Sequence, residues 1–518
     1  MIRSFLTVSS GTLASRLLGF VRDSVIAALL GAGPVADAFL AAFQLVNVVR
    51  RLLSEGGLNA ALVPAWLKIR ERDGTAAAAF AGRVLGTVSA AVIAAALVLG
   101  VLMPLVITVI APGFVGRGAL QFAVDDARLM LPYLAFAGPV TVMMALLNAQ
   151  GRFALTAFSP LLFNIALIAV MAVLLVRQQD PVQAAQVMAA TVGVAGFLQL
   201  SMLVLRGGQA ASPLRVSFDN EMRGFLGRAV PGMVASSAPQ WLVVAGAVIA
   251  STSPSAVSWL YFANRLLELP LGIVGVAMGT VLVPEMTRAV RSGEHTAIAH
   301  AESRGLALAV GLAFPATLGL MVLSQPIARI LFERGAFTAD DTAATAQALI
   351  WLALALPAHV LVKALSPAFF AREDTVTPLV ATLRAIVVAI AAAFLLGHLF
   401  GANGIAAGIA LGAWSNALTL IRNGAASFGF SIDADARRRL PRILAAALAM
   451  GAVLWLAQRA VPTTGAHGFV QAASLLLLIA VGMASYGLFL RLFGVTGWRE
   501  VVNAIRQKAP RLTCAREA

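Results

Sequence analysis

Residues 84–111 read VLGTVSAAVIAAALVLGVLMPLVITVIA, a run without a single charged side chain. About 20 consecutive apolar residues allow an α-helix to cross the roughly 30 Å hydrocarbon core of a bilayer. The run therefore predicts a transmembrane helix. Similar apolar runs recur from the N-terminal region to residue 492, and each of them predicts a further transmembrane helix.

The composition requires lipid as the solvent for most of the surface. Hydrophobic residues make up 60% of the chain and charged residues 12%, and the mean hydropathy is +0.89. A soluble domain carries about 25% charged residues. The formal charge of +15 does not indicate nucleic-acid binding, because the basic residues lie between apolar runs and are not interleaved with aromatic residues.

The hydropathy pattern predicts an all-α polytopic membrane protein with about 14 transmembrane helices. Their approximate positions are 6–30, 36–65, 83–111, 127–149, 155–176, 185–205, 226–250, 255–287, 304–324, 343–366, 377–398, 402–421, 440–461 and 468–492.

The distribution of basic residues predicts the topology. Most of the 38 Lys and Arg residues lie near the termini or in the even-numbered connections, as in KIRER at 68–72 and RRR at 437–439. Cytoplasmic loops are enriched in Lys and Arg, so both termini are predicted to be cytoplasmic. Arg16 and Arg22 lie inside the first apolar run, which indicates a retained helix rather than a cleaved signal peptide.

A weak internal repeat predicts two related helical bundles. The second span runs from ADAF to LVPAW around Pro64, and the eighth runs from AVSW to LVPEM around Pro284. Repeated bundles are a common plan in transporters. We predict an N-terminal lobe of six helices, a C-terminal lobe of six helices, two further helices and a basic cytoplasmic tail. These cover residues 1–210, 211–430, 431–495 and 496–518.

Several basic residues lie inside apolar spans, where an Arg or Lys at the helix centre costs roughly 2.5–3.5 kcal/mol. They are Arg16, Arg22, Arg50, Arg51, Arg265, Lys363 and Arg384. Arg384 lies close enough to the end of its span to reach the interface, and snorkelling is also one explanation of Arg22. Snorkelling does not account for Arg16, Arg50, Arg51 and Arg265 together, and these charges predict the lining of a hydrated central cavity.

Polar residues accompany these cations at helical spacing. The candidate polar residues are Asn47 and Ser258, and the candidate acidic or gating residues are Asp23, Asp37, Glu55 and Glu268. Buried ion pairs that join helices, such as Arg265 with Glu268, are one explanation of the set. The excess of positive charge favours a second explanation, an anionic substrate, because guanidinium groups bind phosphate bidentately.

Signals for catalysis or metal binding are missing from the sequence. The one cysteine is Cys514, the five histidines are scattered, and no Walker A, nucleophile-elbow or HExxH motif occurs. We therefore predict a transporter with no catalytic residue, no metal site and no cofactor.

Five blocks of sequence resemble the MurJ (MviN) family of lipid II flippases, in the multidrug/oligosaccharidyl-lipid/polysaccharide (MOP) exporter superfamily. They are VSSGTLASRLLGFVRDSVIAALLGAGPVADAF at 8–39, NVVRRLLSEGGLNAALVP at 47–64, VSWLYFANRLLELPLGIVGVAMGTVLVP at 257–284, LFERGAFTADDT at 331–342 and FFAREDTVTP at 369–378. The first and third are the most specific, and together the blocks extend over nearly the whole chain.

The resemblance implies two six-helix lobes around a cavity, with helices 13 and 14 forming a groove for a polyprenyl tail. It implies that lipid II, an undecaprenyl-diphosphate-linked peptidoglycan precursor, is moved to the outer leaflet of the bacterial cytoplasmic membrane. Cell-wall synthases are candidate partners.

The family's functional residues also map onto this chain. Its essential arginines carry over to Arg16, Arg22, Arg50 and Arg265, its acidic residues to Asp37, Glu55 and Glu268, and its cavity lysine to Lys363. Asn264 departs from the family, which often has an acidic residue at that position, so the local charge is more positive here.

Three alternatives remain at this point. A flippase for another polyprenyl-linked glycan would have the same cationic cavity. A drug or cation antiporter of the same superfamily would be expected to have an acidic one. A membrane enzyme would require catalytic carboxylates or a metal on a large outer loop, and the outer loops here are short.

Overall fold

A computed structural model describes residues 2–495, apart from 55–56, 208–213, 237, 279–281, 283–284, 287, 290–294, 371, 373, 429–432 and 461–467. Regular structure in these residues is helical, and no strand occurs among them. The predicted basic tail at 496–518 and the candidate residue Glu55 lie outside the described residues.

Seventeen α-helices follow one another along the described chain. They are α1 Ile2–Leu30, α2 Pro34–Ser54, α3 Gly57–Arg70, α4 Gly74–Ile110, α5 Ala119–Ala149, α6 Phe153–Arg177, α7 Pro181–Gly207, α8 Asn220–Ser236, α9 Ala238–Ala250, α10 Ala256–Ala277, α11 His295–Val322, α12 Ser324–Phe332, α13 Ala339–Ala353, α14 Ala355–Phe370, α15 Val376–Phe428, α16 Ala434–Ala460 and α17 Gly468–Leu492.

The predicted spans fall on helices wherever the chain is described, and the spans 377–398 and 402–421 both lie in α15, which confirms the all-α membrane fold. Nine helical stretches of the described chain are long and apolar enough to cross a membrane. A break at Leu354 divides the predicted span 343–366 into α13 and α14. Helices dominate because lipid offers no hydrogen bonds, so each span must satisfy its own backbone groups.

Helix α4 is longer than the bilayer requires. Its 37 residues correspond to a length of about 55 Å. Asp73 caps its N-terminus by accepting a 2.7 Å hydrogen bond from the backbone N–H of Thr75. Hydrogen bonds from the side chain and backbone of Thr75 lower the pKa of the Asp73 carboxyl. The helix therefore begins outside the apolar run 84–111 and carries the basic loop clear of the membrane core.

The chain divides into two compact units. The first comprises residues 1–265, 331–348 and 382–412. Helix α5 is central to this unit and packs against α2, α3, α4, α6 and α7. Its buried face includes Met130, Leu134, Val142 and Leu146. The first unit thus buries α5 on several sides.

The second unit comprises residues 266–330, 349–381 and 413–518. Here α11 packs against α14 and α16, and α16 packs against α17. Buried Met450, Leu454 and Leu478 join α16 to α17, and the Tyr486 hydroxyl donates a 2.7 Å hydrogen bond to the Gly311 carbonyl. The lobe boundaries at 210 and 430 and the lipid-tail groove stay predictions.

Glycines allow two antiparallel segments of α15 to approach closely. The helical geometry breaks at Gly401, where φ is 57° and ψ is −137°. A Cβ on Gly412 would lie 2.5 Å from the Cβ of Ala389, and a Cβ on Gly408 would overlap the backbone of Ala393. The chain reverses at Gly401, so the two spans predicted at 377–398 and 402–421 form a hairpin. Small residues of this kind let backbones in membranes pack tightly.

We expect Gly408→Leu to destabilise the protein. The added side chain must separate the two segments, and such overpacking costs roughly 1–3 kcal/mol. Thermal unfolding of the purified protein in detergent measures the effect as a lower Tm. Gly487→Leu is the control, because no atom lies within 4 Å of the Cβ position there. Equal Tm values for the two variants would contradict the close packing.

Candidate substrate-binding site

Most of the predicted site residues lie on three helices. In the first unit, α1 carries Arg16, Arg22 and Asp23, α2 carries Asp37, Asn47, Arg50 and Arg51, and α10 carries Ser258 and Arg265. Glu268 on α10 and Lys363 on α14 belong to the second unit. Nine of the candidates therefore lie in the first unit, and the contacts that five of them make are described below.

The carboxylate of Asp23 is the centre of the site. Its side chain is 0% exposed. Oδ1 accepts hydrogen bonds from Arg22 Nε at 2.9 Å and Nη2 at 2.7 Å, and another from the Tyr261 hydroxyl at 3.2 Å. Nε of Arg265 lies 2.6 Å from Oδ2, in an ion pair without linear hydrogen-bond geometry. One acid on α1 thus holds two arginines, one of them from α10.

Arg22 is fixed on several sides. Nη1 donates a 3.1 Å hydrogen bond to Oδ1 of Asn164 on α6, and the Asn164 amide donates to the Ser15 carbonyl at 3.2 Å. The Arg22 Cζ lies 4.9 Å from the ring centroid of Phe43 and 5.8 Å from that of Phe163. Aromatic rings attract cations, and the effect strengthens away from water. Arg22 is therefore buried among its partners and does not reach the interface by snorkelling.

Space for the Arg265 side chain is provided by Gly19. A Cβ at this position would lie 2.5 Å from Arg265 Nη2 and 3.8 Å from Asn164 Nδ2. Gly19 is one turn before Asp23 on α1, so both residues face the same neighbour. Any larger side chain here would displace the guanidinium from its observed place.

Asp23 is a partner of Arg265 that the sequence did not suggest. Glu268 lies one turn from Arg265 along the same helix, and the pairing of these two residues stays a prediction. The structure places Asp23, from α1, against Arg265. Buried ion pairs therefore account for part of the environment of Arg22 and Arg265.

The positive charge still exceeds the negative charge around these helices. Asp23 is one carboxylate between two guanidinium groups. The Arg16 side chain is exposed and that of Arg50 is half-buried, and neither forms an ion pair or hydrogen bond within the described part of the chain. Arg51 and Asn47 are half-buried on the same helix as Arg50. No acid among the described residues therefore engages the guanidinium group of Arg16 or Arg50.

Asp37 and Ser258 form a second polar contact between α2 and α10. Asp37 is 3% exposed. Its Oδ1 accepts hydrogen bonds from the backbone N–H of Ser258 at 2.9 Å and from the Ser258 hydroxyl at 2.5 Å. Ser258 lies in the first turn of α10, where backbone N–H groups have no partner within the helix. The carboxylate therefore caps α10 and holds its N-terminus against α2.

Sequence reasoning missed Gly19 and Asn164. Asn164 interrupts the apolar run LLFNIALIAVMAVLLV at 161–176, and a lone amide inside a membrane span is itself a signal for a polar contact. Gly19 gives no comparable signal, because glycine is common in membrane helices.

Two further candidates belong to the second unit. The Lys363 side chain is exposed and that of Glu268 is half-buried. No group of residues suited to hold a metal ion occurs among the residues that the structure describes.

We expect Asp23→Asn to destabilise the protein strongly. The change leaves two arginines without their shared counter-charge, and removing one partner of a buried ion pair costs roughly 3–5 kcal/mol. A lower Tm in detergent reports the loss. Asp340→Asn is the control, because Asp340 is exposed. An unchanged Tm for Asp23→Asn would show that the carboxylate does not hold the site together.

Comparison with known proteins places the chain in a family. The sequence profile of the family described as "Lipid II flippase MurJ" matches residues 26–476. The "Probable lipid II flippase MurJ" of Rhizobium tropici is 34% identical over 522 residues, covering 98% of this chain and 97% of that protein.

Solved structures show the same fold. A structure described as "Lipid II flippase MurJ, inward closed conformation" superposes with a TM-score of 0.79 at 21% identity, covering 96% of this chain and 100% of that one. An inward-facing multidrug resistance MATE transporter of the MOP superfamily superposes with a TM-score of 0.64 at 16% identity, covering 83% and 95%. The fold is thus that of the MOP superfamily, and by its sequence the chain belongs to the lipid II flippase MurJ family.

Proposed function

We propose that this protein moves lipid II from the inner to the outer leaflet of the bacterial cytoplasmic membrane. The observation that carries the proposal is the excess of arginine on α1, α2 and α10, inside a bundle of membrane-spanning helices. Lipid II supplies the matching anion, a diphosphate between the polyprenyl chain and the muropeptide. Peptidoglycan synthesis outside the membrane then receives its precursor.

The diphosphate is the part of the substrate that most needs a protein environment. Moving an isolated charge into hydrocarbon is very costly. Guanidinium groups offset this cost with paired hydrogen bonds to phosphate oxygens. Arg16 and Arg50 provide such groups, since neither is bound to an acid within the described residues. The polyprenyl tail has no such need and stays in lipid.

Asp23 has a positioning role in this mechanism. It fixes the Arg22 and Arg265 side chains in place. A pre-organised cationic site binds an anion without the entropic cost of ordering long side chains. The site is therefore arranged before a diphosphate arrives.

We propose transport by alternating access, as in other transporters built from repeated bundles. The head group enters from the inner leaflet, and release follows when the outward state separates the arginines and weakens their hold. The predicted roles of Glu55, Glu268 and Lys363 stay predictions. Both termini lie in the cytoplasm, no chemical step occurs on the substrate, and cell-wall synthases use the product.

The charge of the site also separates this proposal from cation export. A drug or cation antiporter needs acidic groups free to bind a cation. In the first unit the Asp23 and Asp37 carboxylates are both engaged, by arginines and by the N-terminus of α10 respectively. The other charged candidates in the first unit, Arg16, Arg50 and Arg51, are basic, which favours an anionic substrate.

We expect Arg16→Ala to abolish translocation without loss of stability. The side chain is exposed and makes no ion pair within the described residues, so its removal leaves the fold intact. The test is complementation of cells depleted of their own lipid II flippase, with lipid II accessibility at the outer leaflet as the readout. Arg384→Gln is the matched control, since it removes an exposed arginine from a membrane helix outside the site.

Either of two results would contradict the proposal. The first is normal lipid II accessibility in cells that rely on Arg16→Ala. The second is a wild-type chain that inserts and expresses normally yet leaves lipid II at the inner leaflet. The second result would transfer the substrate assignment to another polyprenyl-linked glycan.

We expect Gly19→Ala to reduce translocation while the protein remains stable. The new methyl group displaces the end of the flexible Arg265 side chain, and alanine favours the helix by roughly 1 kcal/mol over glycine. A misplacement of about 1 Å in a binding site can lower the rate by up to roughly a hundredfold, so we expect a reduction of about tenfold or more. The same complementation assay measures it, with Gly224→Ala as the control because no atom lies within 4 Å of that Cβ position. Full activity with a wild-type Tm would show that the place of Arg265 is unimportant.

A further inference from the structure

An open groove of about 620 Å³ lies between α6 and α7 in the first unit. Its apolar floor includes Val170, Val173 and Val187, and its polar end includes Arg177, Gln183 and Gln186. None of these residues belongs to the candidate site described above. The groove is therefore a separate feature of the molecular surface.

The polar end of the groove is at the connection between the two helices. Helix α6 ends at Arg177, Gln178 adopts a left-handed conformation with φ of 47°, and α7 begins at Pro181. The sequence places this odd-numbered connection on the outer side of the membrane. Arg177 thus lies where the outer leaflet meets water.

Arg177 has no internal partner in the described chain. It is exposed and forms no ion pair or hydrogen bond there. Asp180 is the nearest acid in the sequence, and its Oδ2 instead accepts a 3.1 Å hydrogen bond from the Val182 backbone N–H at the start of α7. The groove therefore combines an uncompensated guanidinium with neutral amide donors.

The floor of the groove requires an apolar occupant. Val173 is 52% exposed and Val187 is 43% exposed. From Val170 to Arg177 the helix advances by about 10 Å, enough to place an acyl chain beside the valines while its phosphate lies at the arginine. A free phosphate ion would leave this apolar surface uncovered, whereas a lipid covers it and satisfies the cation.

We propose that this groove binds one anionic phospholipid of the outer leaflet. Its phosphate lies against Arg177, with Gln183 and Gln186 donating hydrogen bonds to its head group, and one acyl chain follows the valine floor. A zwitterionic lipid brings its own cation to the same place and therefore binds more weakly. The proposal does not depend on the identity of the transported substrate.

The experiment is native mass spectrometry of the purified full chain. The protein is released from nanodiscs of equal phosphatidylglycerol and phosphatidylethanolamine, and the ratio of the two bound lipids is measured. The wild type should retain phosphatidylglycerol preferentially. Arg177→Gln should lower this preference by about fivefold, the effect of one basic residue near an anionic lipid. Arg117→Gln, which removes an exposed cation from another outer connection, should leave it unchanged.

A second variant tests the groove independently of charge. Val173→Trp fills the floor while Arg177 remains, and it should remove the retained phosphatidylglycerol. Both altered side chains are exposed, so the fold should be preserved. Equal retention of the two lipids by the wild type would overturn the proposal. So would wild-type preference in either Arg177→Gln or Val173→Trp, or an equal loss in Arg117→Gln.

Discussion

A carboxylate with no exposed surface, shared by two arginines, is the interaction on which the first unit's polar interior depends. Asp23 binds Arg22 from its own helix and Arg265 from α10. In a low-dielectric interior each unpaired ion would be costly, so the three charges are stable only together. The arrangement therefore fixes α1 against the part of α10 that carries Arg265.

Neutral residues also determine where the side chains of this cluster lie. Gly19 leaves room for the Arg265 guanidinium, and Asn164 connects Arg22 to the backbone of α1 at Ser15. Asp37 performs a related task by capping α10. These contacts orient the arginines in advance, as binding of a diphosphate requires.

The two proposals both rest on the binding of phosphate by arginine, at different places in the protein. Arg16 and Arg50, on helices of the cationic cluster, are suited to a diphosphate that crosses the membrane. Arg177, at the end of α6, is suited to a lipid phosphate that remains at the interface. Their positions distinguish them, because Arg16 and Arg50 lie within α1 and α2, whereas Arg177 is the last residue of α6.

The sequence by itself determined the helical membrane fold, the order of the spans and the group of arginines within them. Hydropathy and charge are local properties, and a bilayer core of fixed thickness converts them directly into spans. Only the tertiary structure decided that Arg265 pairs with Asp23, that Asp37 caps α10, and that Gly19 makes room for a guanidinium. Asp37 and Ser258 are 221 positions apart in the chain, and no local pattern encodes which helices meet over such a separation. Contacts of that kind are set by the packing of whole helices.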